Sequence, residues 1–225
     1  MALLHQAELR PSKNELIQGW APTQPWFEGS PRILSVASFR FDDPDGEVGI
    51  ETLLVAAGDG PVFQVPLTYR NSPLRGGDPW LIGTMQHSVL GQRWVYDATG
   101  DPVYLAAVAT AALSGVGQAE QYFEIDGKRV VRDPTAVVAG SGTRGATVPS
   151  APAVGEISTR HELGATIVEA GRLRLLVTRR IGGSGIREND ANGFDHPAEG
   201  VTREALTGTW TDQPEQQTLV VVLAG

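Results

Sequence analysis

Residues 49–70 read GIETLLVAAGDGPVFQVPLTYR, and their periodicity decides the fold. Ile50, Thr52, Leu54 and Ala56 fall on one side of an extended chain, and Phe63, Val65, Leu67 and Tyr69 do the same on the next run. Between the two runs, Gly58-Asp59-Gly60-Pro61 supplies positive φ and then a fixed φ, the chemistry of a tight reversal. The stretch is therefore expected to be a β-hairpin. Pro66 has no N–H to donate to a ladder, which predicts an edge or a bulge at that point of the second strand.

Upstream, Ser12 followed by Glu15 is an S-x-x-E capping box that opens a short helix, with Leu9, Leu16, Ile17 and Trp20 as its apolar side. Residues 21–31 hold Pro22, Pro25, Gly29 and Pro31 around Trp26 and Phe27, and are expected to form an extended connector pinned by the two aromatics. Further strands are expected at 32–41, 80–87 and 93–96. Asp101 as N-cap, Pro102 at the first helical position and Gly115 as terminator frame one longer helix, VYLAAVATAAL. That helix is apolar almost all round, so it is expected to lie against the concave face of the sheet and under a second element.

The second half continues in β pattern. Asp126-Gly127 reads as a hairpin turn between FEI and KRVV, and Ala170-Gly171 as another between 165–169 and 172–180. Residues 140–155, rich in Gly, Ser, Pro and Ala, read as a flexible linker, and the polar, Gly-rich stretch 182–203 as a mobile or functional loop. The final TLVVVLA reads as a strand buried on both faces.

Composition excludes several functions. There is no cysteine, hence no disulfide, no thiol nucleophile and no Cys-based zinc site. The net charge of −8 repels phosphate backbones and argues against nucleic acid. No apolar run approaches the roughly 20 residues that span a bilayer, and the N-terminus has no export signal, so a cytoplasmic location is expected. Gly140-Ser141-Gly142-Thr143-Arg144-Gly145 satisfies G-x-G-x-x-G, but Pro149 and Pro152 forbid the helix that a dinucleotide site needs. No cofactor is expected. His5, His87, His161 and His196 are too scattered for a metal site, and Asp42, Asp43 and Asp45 read as an Asp-rich turn. Neither lysine, Lys13 or Lys128, follows a glycine-rich turn, and no H-x-D-x-x-x-x-N or D-F-G-like segment is present, so the chain carries no kinase machinery.

Three segments, HQAELRPSKNELIQGWAPTQPWF (5–27), GEVGIETLLVAAGDGPVFQVPLTYR (46–70) and LIGTMQHSVLGQRWVYDATGDPVY (81–104), resemble the N-terminal cap of actinobacterial maltokinases and related aminosugar kinases. The resemblance covers about residues 5–115. It implies a curled antiparallel sheet with a helix, which in such kinases joins a phosphotransferase-like lobe and supplies no catalytic residue. Read as a stand-alone chain, the sequence departs from that family by continuing after the helix with more β pattern. The fold expected is thus α+β: a mainly antiparallel curled β-sheet with one long and one short helix, compatible with a cystatin-like cap topology and extended by further β-hairpins. Residues 1–115 are expected to be the cap-like region, and 116–225 a β-rich region packed on it as one continuous domain.

The function implied is a non-catalytic interaction or regulatory module beside a sugar kinase or another enzyme of maltose, trehalose or glycogen metabolism. Unpaired sheet edges also permit a homodimer. The alternative is a small-molecule or carbohydrate-binding protein, or an enzyme of unfamiliar type, with its pocket between the sheet and the 182–203 loop. Tyr69, Arg70, His87, Arg93, Tyr96 and Asp97 collect at strand ends, where they could meet a sugar or a partner surface. Arg70 and Asp97 could equally close the sheet as an ion pair, worth ~0 to 1 kcal/mol if exposed.

Overall fold

The computed structural model describes every residue except 1, 5, 31, 151, 163 and 183–191. Two short strands, β1 (Ala2–Leu3) and β2 (Leu9–Arg10), precede helix α1 (Lys13–Trp20). The capping box forms as expected: Glu15 N–H donates to Ser12 Oγ (3.3 Å), and Ser12 N–H donates to the Glu15 carboxylate (2.7 Å). Residues 21–31 are not wholly extended, because Ala21–Thr23 make a 3-10 turn that Pro22, with its fixed φ, is suited to start. Trp26 and Phe27 then pin the connector, Phe27 stacking on Phe63 at 5.0 Å.

The quoted stretch is the hairpin β4 (Gly49–Ala57) and β5 (Val62–Arg70), preceded by β3 (Ile33–Phe41) and followed by β6 (Leu81–His87) and β7 (Gly91–Asp97). These strands form an antiparallel sheet ordered β2-β6-β7-β5-β4-β3. Helix α2 (Pro102–Ser114) follows, with Asp101 accepting from Val103 N–H and Gly115 closing it at φ 66°. Next come the hairpin β8 (Gln121–Ile125) and β9 (Lys128–Arg132), which builds a small sheet with β1, then β10 (Ala136–Gly140), β11 (Ile157–Glu162), β12 (Ala165–Ala170) and β13 (Leu173–Thr178). The chain continues through β14 (Arg180–Ile181), a short helix α3 (Asn192–Asp195), β15 (Thr202–Trp210) and β16 (Gln213–Ala224). The second large sheet is ordered β10-β15-β16-β13-β12-β11.

Strand β5 is interior, not an edge, so the expectation at Pro66 needs correcting. Gln64 N–H donates away from β4, to Arg179 O at 2.8 Å, and backbone groups two residues apart on a strand point the same way. The nitrogen of Pro66 therefore faces the gap between β14, which pairs at Val62 and Phe63, and β7, which pairs from Leu67 onward. Neither neighbour asks that position for a donor. Because β13 runs into β14 across Arg179, one stretch of chain belongs to both large sheets.

The sheet of β4 and β5 is buried on both faces. One face, with Leu53, Val55, Phe63, Val65 and Leu67, is covered by α1, Trp26 and Phe27. The other, with Phe39, Phe41, Ile50 and Leu54, packs on α2 and on Leu175, Val177, Leu219 and Val222 of the second sheet. The apolar α2 is thus covered on most sides, with Tyr104, Leu105, Val108, Ala109, Ala111, Ala112 and Leu113 buried, while a stripe through Val103, Ala107 and Thr110 stays at the surface. Gly140 and Gly142 meet its last turn, where the amides of Gly142 and Thr143 donate to Ala112 O and Leu113 O. The stretch from Gly140 is tied to the helix there, and its G-x-G motif faces helix carbonyls, the wrong pole for a phosphate. Of the 182–203 loop, 183–191 lie outside the described residues. Its later part is anchored by buried Phe194, 4.5 Å beneath the Arg174 guanidinium.

Candidate functional site

A cavity of 780 Å³ opens beside the first sheet, between its α1-side face, the N-terminal segment, the β3–β4 turn and the β8–β9 hairpin. Its floor is an ionic cluster built by strand register. Glu51 on β4 lies on the same face as Leu53 and Val55, directly opposite Arg40 on β3. Tyr69 on β5 lies opposite Gly49, where a Cβ would come within 3.4 Å of the ring, so the glycine leaves room for the aromatic to cross the strand. Lys13 is the first residue of α1, set in place by the capping box.

Three donors converge on one carboxylate oxygen of Glu51: Lys13 Nζ at 2.5 Å, Tyr69 Oη at 2.9 Å and Arg40 Nη2 at 3.3 Å. Burial pushes the Glu51 carboxyl up, but the charges of Arg40 and Lys13, with the bonds from Lys13 and Tyr69, outweigh it and hold it at about 2. Burial and the neighbouring Glu51 carboxylate push the Tyr69 phenol well above its ordinary value. Burial opposes the charge on Arg40, and Glu51 more than restores it. Neither Glu51 nor Tyr69 is poised to exchange a proton near neutrality, the condition a general acid or base needs. The arrangement suits recognition: fixed charge, a phenol, and an ammonium that offers three donors.

The walls are mixed. Leu9, Met85 and Phe123 are apolar or aromatic, Arg93 and Arg132 basic, and Asp42, Asp43 and Glu47 acidic. Asp43 accepts from the amides of Asp45, Glu47 and Val48, so the Asp-rich segment is a turn, as its sequence predicts.

Of the six residues singled out from sequence, Tyr69, His87 and Arg93 line this cavity. His87 Nδ1 accepts from the amides of Val89 and Leu90, and Arg93 Nη2 donates to Leu90 O, so both also brace the β6–β7 turn. The other three turn elsewhere. Tyr96 is buried and its hydroxyl accepts from Leu74 N–H at 2.8 Å. Arg70 makes a two-pronged pair with Asp101, both bonds 2.7 Å. Asp97 instead receives the buried Arg179 guanidinium at 2.5 Å, which also donates to Thr166 and lies over Trp26 at 4.8 Å. The Arg70–Asp97 ion pair does not form because Arg70 stands opposite Trp94 and Asp97 opposite Leu67, three rungs or about 10 Å apart along the strands. No described residue of 182–203 lines this cavity, and 183–191 of that loop lie outside the described residues.

Lys13, Arg40 and Glu51 were not legible as site residues, yet two signals existed. Lys13 puts a cation at a helix N-terminus, where the helix dipole disfavours it. Glu51 is the one charge in register with Leu53, Val55 and Ala57.

The fold is that of an α+β protein with mostly antiparallel curled sheets, and the first sheet carries the cavity. Residues 20–101 match the maltokinase N-terminal cap domain family, a stretch running from the end of α1 through β7 to Asp101. The match lies within the region of resemblance read from sequence. Arg40, Glu51, Tyr69, His87 and Arg93 fall inside it, whereas Lys13, Phe123 and Arg132 fall outside. No curated protein matches the chain.

Proposed function

We propose that this chain is a non-catalytic, cap-like binding module acting beside an enzyme of sugar metabolism, and that its cavity holds a small polyhydroxylated ligand. The ionised Lys13–Glu51–Arg40–Tyr69 cluster on the cavity floor carries this reading. Burying such charges costs desolvation that apolar side chains of equal volume would avoid, so their presence calls for a role beyond packing. The cavity lining holds four acids (Asp42, Asp43, Glu47, Glu51) and four bases (Lys13, Arg40, Arg93, Arg132). A bare anion or cation would meet like charge on one wall, while a neutral ligand rich in hydroxyls can donate to one wall and accept from the other. A volume of 780 Å³ falls within the range of roughly 300 to 1,000 Å³ typical of small-molecule sites.

The match of residues 20–101 to the cap domain supports a sugar-metabolism setting, with a sugar kinase or related enzyme as partner and a cytoplasmic location. Tyr69, His87 and Arg93 serve as ligand contacts, and regions 1–115 and 116–225 act as one unit, a reading supported by the core cluster that draws on both. Thermal-shift titration with maltose, trehalose, glucosamine and longer glucans tests the proposal. A ligand at 100 times its Kd should stabilise the protein by ~2.7 kcal/mol. The shift should disappear in Lys13→Met, while a flat response of the unaltered protein to every sugar would sink the ligand reading.

A further inference from the structure

We infer that the outer edge of β9 is a docking strand for an extended, acidic segment of a partner protein. The β8–β9 turn has Asp126 at φ 51° and Gly127 at φ 71°, the geometry of a two-residue hairpin in which Ile125 and Lys128 form the hydrogen-bonded closing pair. Backbone groups of Lys128, Val130 and Arg132 therefore face β8, and those of the alternate residues, Val131 among them, face outward. Among the described residues no strand pairs there: the small sheet is ordered β1-β8-β9, and every β9 residue is exposed.

Two other edges, those of β3 and β10, are covered. At β3, Thr135 Oγ1 accepts from Ser38 N–H and donates to Ser38 O, and Ala119 N–H donates to Arg40 O. At β10, the 116–118 segment and the Gln118 side chain take up the outward groups. The fold covers those two edges and leaves β9 bare, with Val130 44% and Val131 51% exposed on opposite faces of the strand.

The charge of that edge names the occupant. Arg129 and Arg132 flank the valines, with Lys128 at the start of the strand, on a chain whose net charge is −8, so β9 is a basic strip on an acidic protein. Basic side chains on an edge keep copies of the same strand apart, since like charges opposite each other on neighbouring strands repel. An acidic strand meets them favourably, adding its own ladder bonds in the manner of β-augmentation. The inference does not rest on a cavity ligand, and either can fail without the other.

The test is selection of a random decapeptide display library on the full chain, followed by anisotropy titration of the enriched peptides. Acidic, β-prone sequences should be enriched. Val131→Pro removes an outward amide while sparing the β8 ladder, and should weaken them at least tenfold with an unchanged circular dichroism spectrum. Lys128→Glu should remove the acidic bias and also leaves the cavity lining intact. Neutral or basic enriched sequences, no enrichment, equal binding by Val131→Pro, self-association through β9 seen by sedimentation, or binding of single-stranded RNA in place of acidic peptide would each overturn the inference.

Discussion

Replacing Glu51 by glutamine keeps the side-chain volume and removes the charge that Lys13, Arg40 and Tyr69 share. A carboxyl held at about 2 rather than its ordinary 4.5 is favoured in its ionised form by about 3 kcal/mol. Removing one partner of a buried ion pair leads to the same range, ~3–5 kcal/mol, because the remaining charges lose their counterion. Glu51→Gln is therefore expected to lower stability by about 3 kcal/mol at neutral pH, read by urea denaturation followed through tryptophan fluorescence. The sign of the pH dependence follows from the depressed value. On acidification the unfolded chain takes up this proton first, so the stabilisation is whole above 4.5 and is lost as pH falls through about 2. The gap between the two proteins should accordingly close across that window. A gap below ~0.5 kcal/mol at neutral pH, within the scatter of ordinary surface substitutions, would refute the reasoning, as would one that stays constant into acid.

Arg179→Met should cost ~3–5 kcal/mol in chemical denaturation by leaving Asp97 buried without its cation, and adding Asp97→Asn should recover part of the loss. Asp101→Ala removes both the α2 cap and the acceptor of Arg70 and Thr68; a loss of about 2–4 kcal/mol is expected by thermal unfolding, with Asp101→Asn less damaging because it still caps. Gly142→Ala would place a Cβ 2.0 Å from Leu113 O, whereas Gly145→Ala meets no atom within 4 Å and is strained only by its φ of 88°. The first should therefore speed hydrogen exchange at the end of α2 and cost ~1–3 kcal/mol, and the second ~1 kcal/mol or less without touching the helix.

The sequence by itself determined what depends on neighbours in the chain. Both helix N-caps, the αL stop at Gly115, the reversals at 58–61 and 126–127 and the period-two strands are all local chemistry and stand as read, while the third reversal falls one residue later than expected, at Gly171-Arg172, because Ala170 pairs with Leu173. Pro66 marks the limit of such reading: its missing N–H was legible, but whether that means an edge or a gap between two partners depends on where β14 arrives. The same holds for the site. Lys13, Arg40, Glu51 and Tyr69 sit on a helix and three strands, and only register and the seating of α1 on the sheet bring them to one carboxylate oxygen. Arg70 and Asp97, a plausible pair in sequence, are held apart by three rungs and paired instead with Asp101 and Arg179. Tertiary structure decided these partners because a buried charge takes whichever counterion the packing places within about 3 Å, and chain separation plays no part in that distance.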